Sequence, residues 1–230
     1  VSANVLPNPG GRGLSVEFTS PYKWGNIRLT NDGSMPDGNS SLYTKPFKVD
    51  ESRYFQAAVF QGDERKGNVL QQLFKVNYAT GKEVVLVNKP DEEYCRGGGF
   101  TLVNGITGAI PWNGSDWLGF VGVPLDATVD LGETMTIHKV GLDVLRDEGS
   151  WIHYPKSIEV FLSDDGKQFT SFGKLEGEKL NKDQRFALFK IDNVNARFVR
   201  IVAEGAGIIP SGLPGEGRPA WLFADEIFVE

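Results

Sequence analysis

The apolar residues of this chain fall in short alternating runs, and this pattern constrains the fold more than any other feature. The runs are bounded by Gly, Pro, Asn and Asp and lack the three- and four-residue spacing of an amphipathic helix. Residues 158–162 form one such run, and the Asp165-Gly166 step behind it is a strong hairpin signal. Residues 127–131 and 134–145 indicate two further strands. The sequence therefore predicts an all-β chain.

A short polar segment at residues 79–82 separates two series of strands. We therefore expect two domains, residues 1–79 and residues 80–230. The first is small for one hydrophobic core, and the second carries strands at the spacing of a sandwich or jelly roll. In the second, loops at residues 94–117 and 205–221 are long and rich in Gly, Pro and Trp, as functional loops often are.

The composition excludes two classes of function. Among the 230 residues, 30 acidic and 24 basic side chains give a net charge of -6 without a block of five like charges, so nucleic acid is not an expected partner. No apolar run reaches the roughly eighteen residues of a membrane-spanning segment.

The single cysteine, Cys95, cannot form an internal disulfide. No signal sequence follows Val1, and we expect a targeting signal to lie upstream.

Several motifs resemble known families. Residues 27–36, 40–43 and 57–62 resemble the small β-sandwich at the C-terminal end of bacterial chitobiases and β-hexosaminidases. The second part resembles the discoidin, or coagulation-factor type C, family and its bacterial carbohydrate-binding relatives, the family 32 modules. That resemblance is carried by VDLG at 129–132, PKSIEV at 155–160, SDDG at 163–166, ARFVRI at 196–201 and WLFADEI at 221–227.

The resemblance implies both a fold and a context. It implies a small antiparallel β-sandwich, of the fibronectin type III or immunoglobulin-like kind, followed by a discoidin-like β-sandwich jelly roll. In this order the two modules look like the C-terminal region of an exported family 20 β-hexosaminidase from a Bacteroides-type bacterium. The implied partners are a glycan, with N-acetylhexosamine as a candidate component, and an upstream catalytic domain of the same polypeptide.

The chain lacks the catalytic motif of that family. Family 20 enzymes use an Asp-Glu pair in a His-x-Gly-Gly-Asp-Glu setting. The two histidines here, His138 and His153, precede no such motif, and adjacent acidic pairs such as Asp147-Glu148 fall in polar turns typical of solvated charge. We therefore expect no catalytic residues in this chain.

The resemblance also implies a structural Ca²⁺ site, because discoidin-like modules commonly hold one where a loop meets the last strand. The matching residues are Asn104 and Thr107 in the loop and Glu226 in the last strand. Asn104 stands where the family pattern usually has Asp, which removes one negative charge. The alternative is a Gly-rich turn that is held to Glu226 by hydrogen bonds alone.

A sugar site needs a flat ring for stacking beside a few fixed donors and acceptors. The loops of the second part offer both, and the candidate carbohydrate-binding residues are Trp112, Arg146, Asp147, Trp151, His153 and Tyr154. For Trp112 and Trp151, packing and sugar stacking are equally open. Trp117 and Trp221 adjoin apolar strands and indicate packing, and Trp24 indicates a core or inter-domain position.

Two functions remain open. In the first, the chain is a non-catalytic accessory region whose second domain binds glycan and tethers an enzyme to its substrate. In the second, both domains are purely structural, pack on the catalytic barrel and bind no sugar.

Overall fold

The computed structural model describes residues 1–180 and 185–230. These residues form two compact units, Val1–Gly81 and Lys82–Glu230. Strands dominate both units, and the described helices are 3-10 turns of three to six residues. The prediction of an all-β chain is therefore confirmed. Within these ranges no helix is long and apolar enough to cross a membrane.

The first unit is an antiparallel sandwich of two sheets. One sheet has the order β1-β2-β5, and the other has the order β4-β3-β6-β7. The strands are β1 (Ser2–Pro7), β2 (Leu14–Thr19), β3 (Asn26–Thr30), β4 (Ser41–Leu42), β5 (Phe47–Val49), β6 (Arg53–Gln61) and β7 (Glu64–Phe74).

Aromatic rings fill the space between these two sheets. Phe18 of β2 alternates inward with Leu14 and Val16, as one buried face of a strand requires. Its ring centroid lies 6.4 Å from that of Phe55 in β6, and Phe55 lies 6.0 Å from Phe74 in β7. Edge and tilted contacts of this kind join strands of both sheets into one core.

The second unit is built around two long antiparallel strands, β10 and β13. The strands of this unit are β8 (Glu83–Leu86), β9 (Leu118–Val121), β10 (Leu125–Val144), β11 (Ser157–Ser163), β12 (Thr170–Glu176), β13 (Phe186–Glu204) and β14 (Trp221–Val229). The main path runs β12-β11-β13-β10-β14-β9. The first half of β10 pairs with β8, whereas its second half pairs with β14. One sheet therefore serves both layers of a sandwich.

The separate strands predicted at 127–131 and 134–145 are a single strand, β10. Its register against β13 shifts between Asp130 and Met135, and Gly132 in this bulge has φ +85°. Glycine adopts this left-handed conformation without the steric cost that other residues incur. The predicted Asp165-Gly166 turn does join β11 to β12, with Gly166 at φ 70°.

Candidate functional site

A cavity of about 550 Å³ opens in the second unit among three segments that leave the strands. The segments are residues 146–156 before β11, residues 176–180 at the end of β12, and residues 206–213 in the long loop after β13. Strand pairing does not fix the side chains of such segments, so they are available for contacts with a ligand.

One wall of this cavity is polar. Arg146 donates from Nε to Glu148 Oε1 at 2.9 Å, and its guanidinium carbon lies 5.6 Å from the centroid of the Tyr154 ring. Both side chains of the ion pair are about 30% exposed, at 28% and 31%. The Arg146–Glu148 pair is therefore fixed but still reachable from the cavity. Lys156 and Glu176 add a second cation and a second carboxylate.

His153 is the most constrained polar group of this wall. Its side chain is buried with 8% exposed, and its Nε2 atom has no hydrogen-bond partner among the described residues. Its backbone N–H donates to the Trp221 carbonyl at 3.0 Å, which fixes the residue on β14. A buried polar atom without a partner costs on the order of 1–3 kcal/mol. His153 is also one of the residues that line the cavity.

Apolar side chains also line the cavity. Pro155, Leu180, Pro210 and Leu213 line it, and Leu180 is 6% exposed. A cavity lined by both polar and apolar side chains fits a ligand that has both hydroxyl and C–H groups.

Asp147 and Trp112 bind each other and do not line the cavity. Trp112 donates from Nε1 to Asp147 Oδ2 at 2.9 Å, and the Ser150 hydroxyl donates to the same oxygen at 2.7 Å. Hydrogen bonds from Ser150 and then Trp112 lower the pKa of Asp147. The Trp112 ring also packs on Phe223, with centroids 5.2 Å apart. Trp112 therefore packs in this loop, and its contact with a sugar stays a prediction.

Trp151 also lies outside the residues that line the cavity. It has the left-handed φ of 64°, and the Arg218 guanidinium stacks 5.1 Å from its ring centroid. A Cβ added at Gly215 would lie 2.6 Å from two atoms of the indole, so the ring rests directly on that glycine. Of the six predicted sugar-binding residues, the structure brings three together in the cavity: Arg146, His153 and Tyr154.

Sequence reasoning missed Glu148, Lys156 and the apolar side chains of the cavity. In the sequence, the polar turn around Glu148 indicates a solvated charge. In the structure, Glu148 forms an ion pair with Arg146, two residues away, and this pair gives the site a fixed polar group. The unusual length of the loop at residues 205–221 was the feature of the sequence that could have indicated a role for Pro210 and Leu213 in a binding site. Nothing in the sequence marks Leu180, which follows a short 3-10 turn.

The predicted calcium site contains an amide oxygen, a hydroxyl oxygen and a carboxylate. Asn104 Oδ1 accepts from the Ile106 N–H at 2.7 Å, and Glu226 Oε2 accepts from the Gly105 N–H at 3.2 Å. The Thr107 hydroxyl is buried and has no hydrogen-bond partner among the described residues. Within those residues no three His, Cys, Asp or Glu side chains form a metal-binding group. A cation here would have one carboxylate and several neutral oxygens as ligands.

Comparison with known proteins identifies the second unit. Residues 96–211, half of the chain, match the family model of the F5/8 type C domain. The chain belongs to the F5/8 type C domain family. Residues 8–71 match the family model of the chitobiase/beta-hexosaminidase C-terminal domain. Both predicted resemblances are thus confirmed. No match was found among curated proteins.

Three solved structures are similar to this chain over about two thirds of its length. Chitosan-binding module 1 of a Paenibacillus sp. IK-5 chitosanase/glucanase is 16% identical, with a TM-score of 0.46 over 67% of this chain and 98% of its own. A Streptococcus pneumoniae fucose binding module, SpX-3, is 16% identical, with a TM-score of 0.43 over 67% and 96%. The Clostridium perfringens module CpGH89CBM32-5, in complex with GalNAc-β-1,3-galactose, is 16% identical, with a TM-score of 0.44 over 64% and 93%.

The oxygen atoms of the F5/8 type C loop fit a hard cation. Ca²⁺ takes six to eight oxygen ligands, and carbonyls from a Gly-rich turn add to the side chains of Asn104, Thr107 and Glu226. The unpartnered Thr107 hydroxyl is the observation that a bound cation would explain. Such an ion would bind the loop to the last strand and would have no catalytic role.

Two buried aspartates lie beside this loop and share one arginine. Asp143 and Asp225 are fully buried, and Arg185 donates to Asp143 at 3.0 and 2.5 Å and to Asp225 at 3.3 Å. Arg185 also donates to the Gly108 carbonyl at 3.0 Å. Burial, together with the negative charge of Asp143, raises the pKa of Asp225 to about 9. Asp225 therefore holds a proton at neutral pH.

We expect Ca²⁺ to stabilise the second unit, since the ligand oxygens come together only in the folded state. At one hundred times its Kd, an ion that binds only the folded form adds about 2.7 kcal/mol. The melting temperature should fall with a chelator and recover with calcium. Thr107→Val, which removes the hydroxyl but keeps the shape, should weaken that response. If calcium has no effect on either protein, the loop is held by the Glu226–Gly105 hydrogen bond without a metal.

We also expect the stability of the second unit to fall as the pH rises from about 4 to about 9. In this window folded Asp225 keeps a proton that the same carboxyl in the unfolded chain, with its ordinary pKa of 3.8, has lost. The stability that this proton contributes is complete below a pH of 3.8 and is lost as the pH passes the folded pKa of about 9. The slope is at most about 1.4 kcal/mol per pH unit.

Denaturant titration at several pH values measures this slope. Asp225→Asn, which imitates the protonated carboxyl, should be less dependent on pH than the parent. Asp164→Asn, at an exposed turn position, is the matched control and should behave like the parent. Equal pH dependence in the parent and Asp225→Asn would contradict the assigned proton.

Proposed function

We propose that this chain is a non-catalytic accessory region that binds a neutral glycan in the cavity of its F5/8 type C domain. The observation that carries the proposal is the buried His153 imidazole, whose Nε2 has no partner among the described residues and which lines the cavity with Arg146 and Tyr154. A sugar hydroxyl supplies the missing hydrogen bond, and neighbouring hydroxyls reach the Arg146–Glu148 pair.

The apolar side chains of the cavity support a sugar with an apolar substituent. The methyl of an acetamido group is small enough to rest against Leu180 and Leu213 while the amide faces the polar wall. The proposed ligand is therefore a glycan that contains N-acetylhexosamine.

The two matched families support a wider context for the chain. Both are accessory domain types, and one is named for β-hexosaminidases. We infer an exported parent protein with an upstream catalytic domain, a β-N-acetylhexosaminidase from a Bacteroides-type bacterium, in which calcium has a structural role. In this setting the cavity would hold the enzyme near a polymeric substrate.

A purely structural role is the second candidate. It is favoured by the packing of the predicted stacking rings, because Trp112 binds Asp147 and Trp151 rests on Gly215. In that case the cavity has no sugar ligand, and the two domains pack on the catalytic barrel of the parent protein.

Variants of the cavity distinguish these candidates. We expect a glycan array, followed by calorimetry with the best ligand, to show binding that His153→Asn and Arg146→Lys each weaken about tenfold, as the loss of one or two good hydrogen bonds predicts. His138→Ala changes the other histidine, which is exposed on β10, and should leave affinity unchanged. Melting temperatures check that all variants fold. Absence of glycan binding would support the structural role, and binding that survives both cavity variants would refute this site.

We expect no hydrolysis of a chromogenic N-acetylglucosaminide by this chain. The carboxylates that line the cavity, Glu148 and Glu176, are each held in an ion pair, with Arg146 and Lys174, so they do not form the pair of free acid and nucleophile that a glycosidase needs. Release of the chromophore is the measurement. Turnover that a substitution within this chain abolishes would show that the chain is an enzyme.

A further inference from the structure

The long loop between β13 and β14 has a folded shape of its own. This loop, residues 205–220, is called the strap below. Within it, the Ile209 N–H donates to the Arg218 carbonyl at 2.8 Å. At its tip, the Glu216 carboxylate accepts a hydrogen bond from the Gly212 N–H at 2.9 Å. Because these bonds fix the strap internally, its place in the second unit depends on the residues that it packs on.

The strap packs on the ring of Trp151. A Cβ added at Gly215 would lie 2.6 Å from the indole Cδ1 and Nε1 atoms, and the Arg218 guanidinium stacks 5.1 Å from the ring centroid. The Trp151 carbonyl also accepts from the N–H of Trp221, directly after the strap, at 2.9 Å. A residue other than glycine keeps the φ of 64° that Trp151 has only where its surroundings hold it. The backbone of Trp151 is thus held in the conformation in which its ring contacts the strap.

The same residue is bonded to the polar side of the candidate glycan cavity. The Trp151 N–H donates to the Glu148 carbonyl at 3.1 Å, and the Glu148 carboxylate forms the ion pair with Arg146. The strap contributes Pro210 and Leu213 to the same cavity. Trp151 therefore connects two segments that line the cavity, although it does not line the cavity itself.

We propose that Trp151 is a positioning residue, which fixes the strap relative to the Arg146–Glu148 pair and thereby sets which sugar the cavity accepts. The fixed position of the strap is a property of the free chain. The consequence for the ligand rests on the proposed glycan function, since Leu213 can contact an acetamido methyl only while the strap keeps this position. A ring that holds the strap in advance also lowers the entropy that is lost when a ligand binds.

Two glycine substitutions in the strap test this support in the free chain. Gly215 and Gly212 share a left-handed backbone, at φ 81° and 86°, but a Cβ at Gly215 meets the indole whereas a Cβ at Gly212 meets nothing within 4 Å. We expect Gly215→Ala and Trp151→Ala to speed hydrogen exchange at the backbone amides of the strap, because local opening controls exchange. Gly212→Ala has the same backbone strain without the collision and is the matched control. Its strap should exchange more slowly than that of Gly215→Ala.

Calorimetry with two disaccharides tests the consequence for the ligand. N,N′-diacetylchitobiose carries acetamido groups where cellobiose carries hydroxyls, and we expect the parent chain to prefer the first. Trp151→Ala and Gly215→Ala should each weaken binding of the diacetylated sugar about tenfold and reduce that preference. Loss of fold stability alone would leave the ratio of the two affinities unchanged. Trp151→Phe keeps a ring beside the strap and should restore most of the preference.

A tryptophan of the first unit provides a second control. Trp24 is 54% exposed and is thus not the core residue that the sequence indicated. Trp24→Ala removes the same side chain as Trp151→Ala at a position in the other unit. We expect its strap exchange and its affinities for both disaccharides to match those of the parent.

Two results would overturn the proposal. The first is strap exchange that is no faster in Trp151→Ala and Gly215→Ala than in Gly212→Ala. The second is disaccharide binding that shows no preference in the parent, or a preference that both variants keep. If neither disaccharide binds the parent, the glycan function fails for these sugars, and hydrogen exchange alone decides whether Trp151 positions the strap. If Trp151→Ala does not fold, Gly215→Ala and Trp151→Phe give the answer.

Discussion

Two adjacent buried acidic side chains in the last strand hold the first long loop of the second unit in place. Asp225 and Glu226 accept hydrogen bonds from the N–H groups of Gly108 and Gly105, more than a hundred residues earlier in the chain. Buried carboxylates are tolerated only where donors or cations surround them. A Cβ at Gly108 would lie within 2.8 Å of both Trp117 and Asp225, so the loop must have glycine there to come this close. The end of the chain thereby fixes a loop near the start of the unit.

The same strand also shapes the candidate glycan site. The Leu145 N–H donates to the Phe223 carbonyl, the Trp221 N–H donates to the Trp151 carbonyl, and the His153 N–H donates to the Trp221 carbonyl, each at about 3 Å. Both ends of the segment that carries Arg146 and Tyr154 are thus bound to β14 by backbone hydrogen bonds. The cavity is therefore built before any ligand arrives, which reduces the entropy that binding must overcome.

Short-range patterns in the sequence predicted the structural features that neighbouring residues determine by themselves. The alternation at residues 158–162 and the Asp165-Gly166 step were enough for the β11–β12 hairpin, because its register depends on the turn itself. The bulge at Gly132 was not visible as a bulge, since a glycine between two apolar runs resembles a turn. The role of Trp151 was equally hidden, because Gly215 and Arg218, which pack on it, lie more than sixty residues away.

The arrangement of charge in the cavity favours a neutral ligand. Arg146 is already neutralised by Glu148, and Lys156 and Glu176 add one charge of each sign. An anionic ligand would have to compete with Glu148 for the guanidinium and would face a second carboxylate. A sugar hydroxyl both donates and accepts, so one hydroxyl can donate to Glu148 while its neighbour accepts from Arg146, and the ion pair stays intact. Without a stacked indole, such contacts alone would give modest affinity, and attachment to an enzyme would then raise retention on a polymer through local concentration.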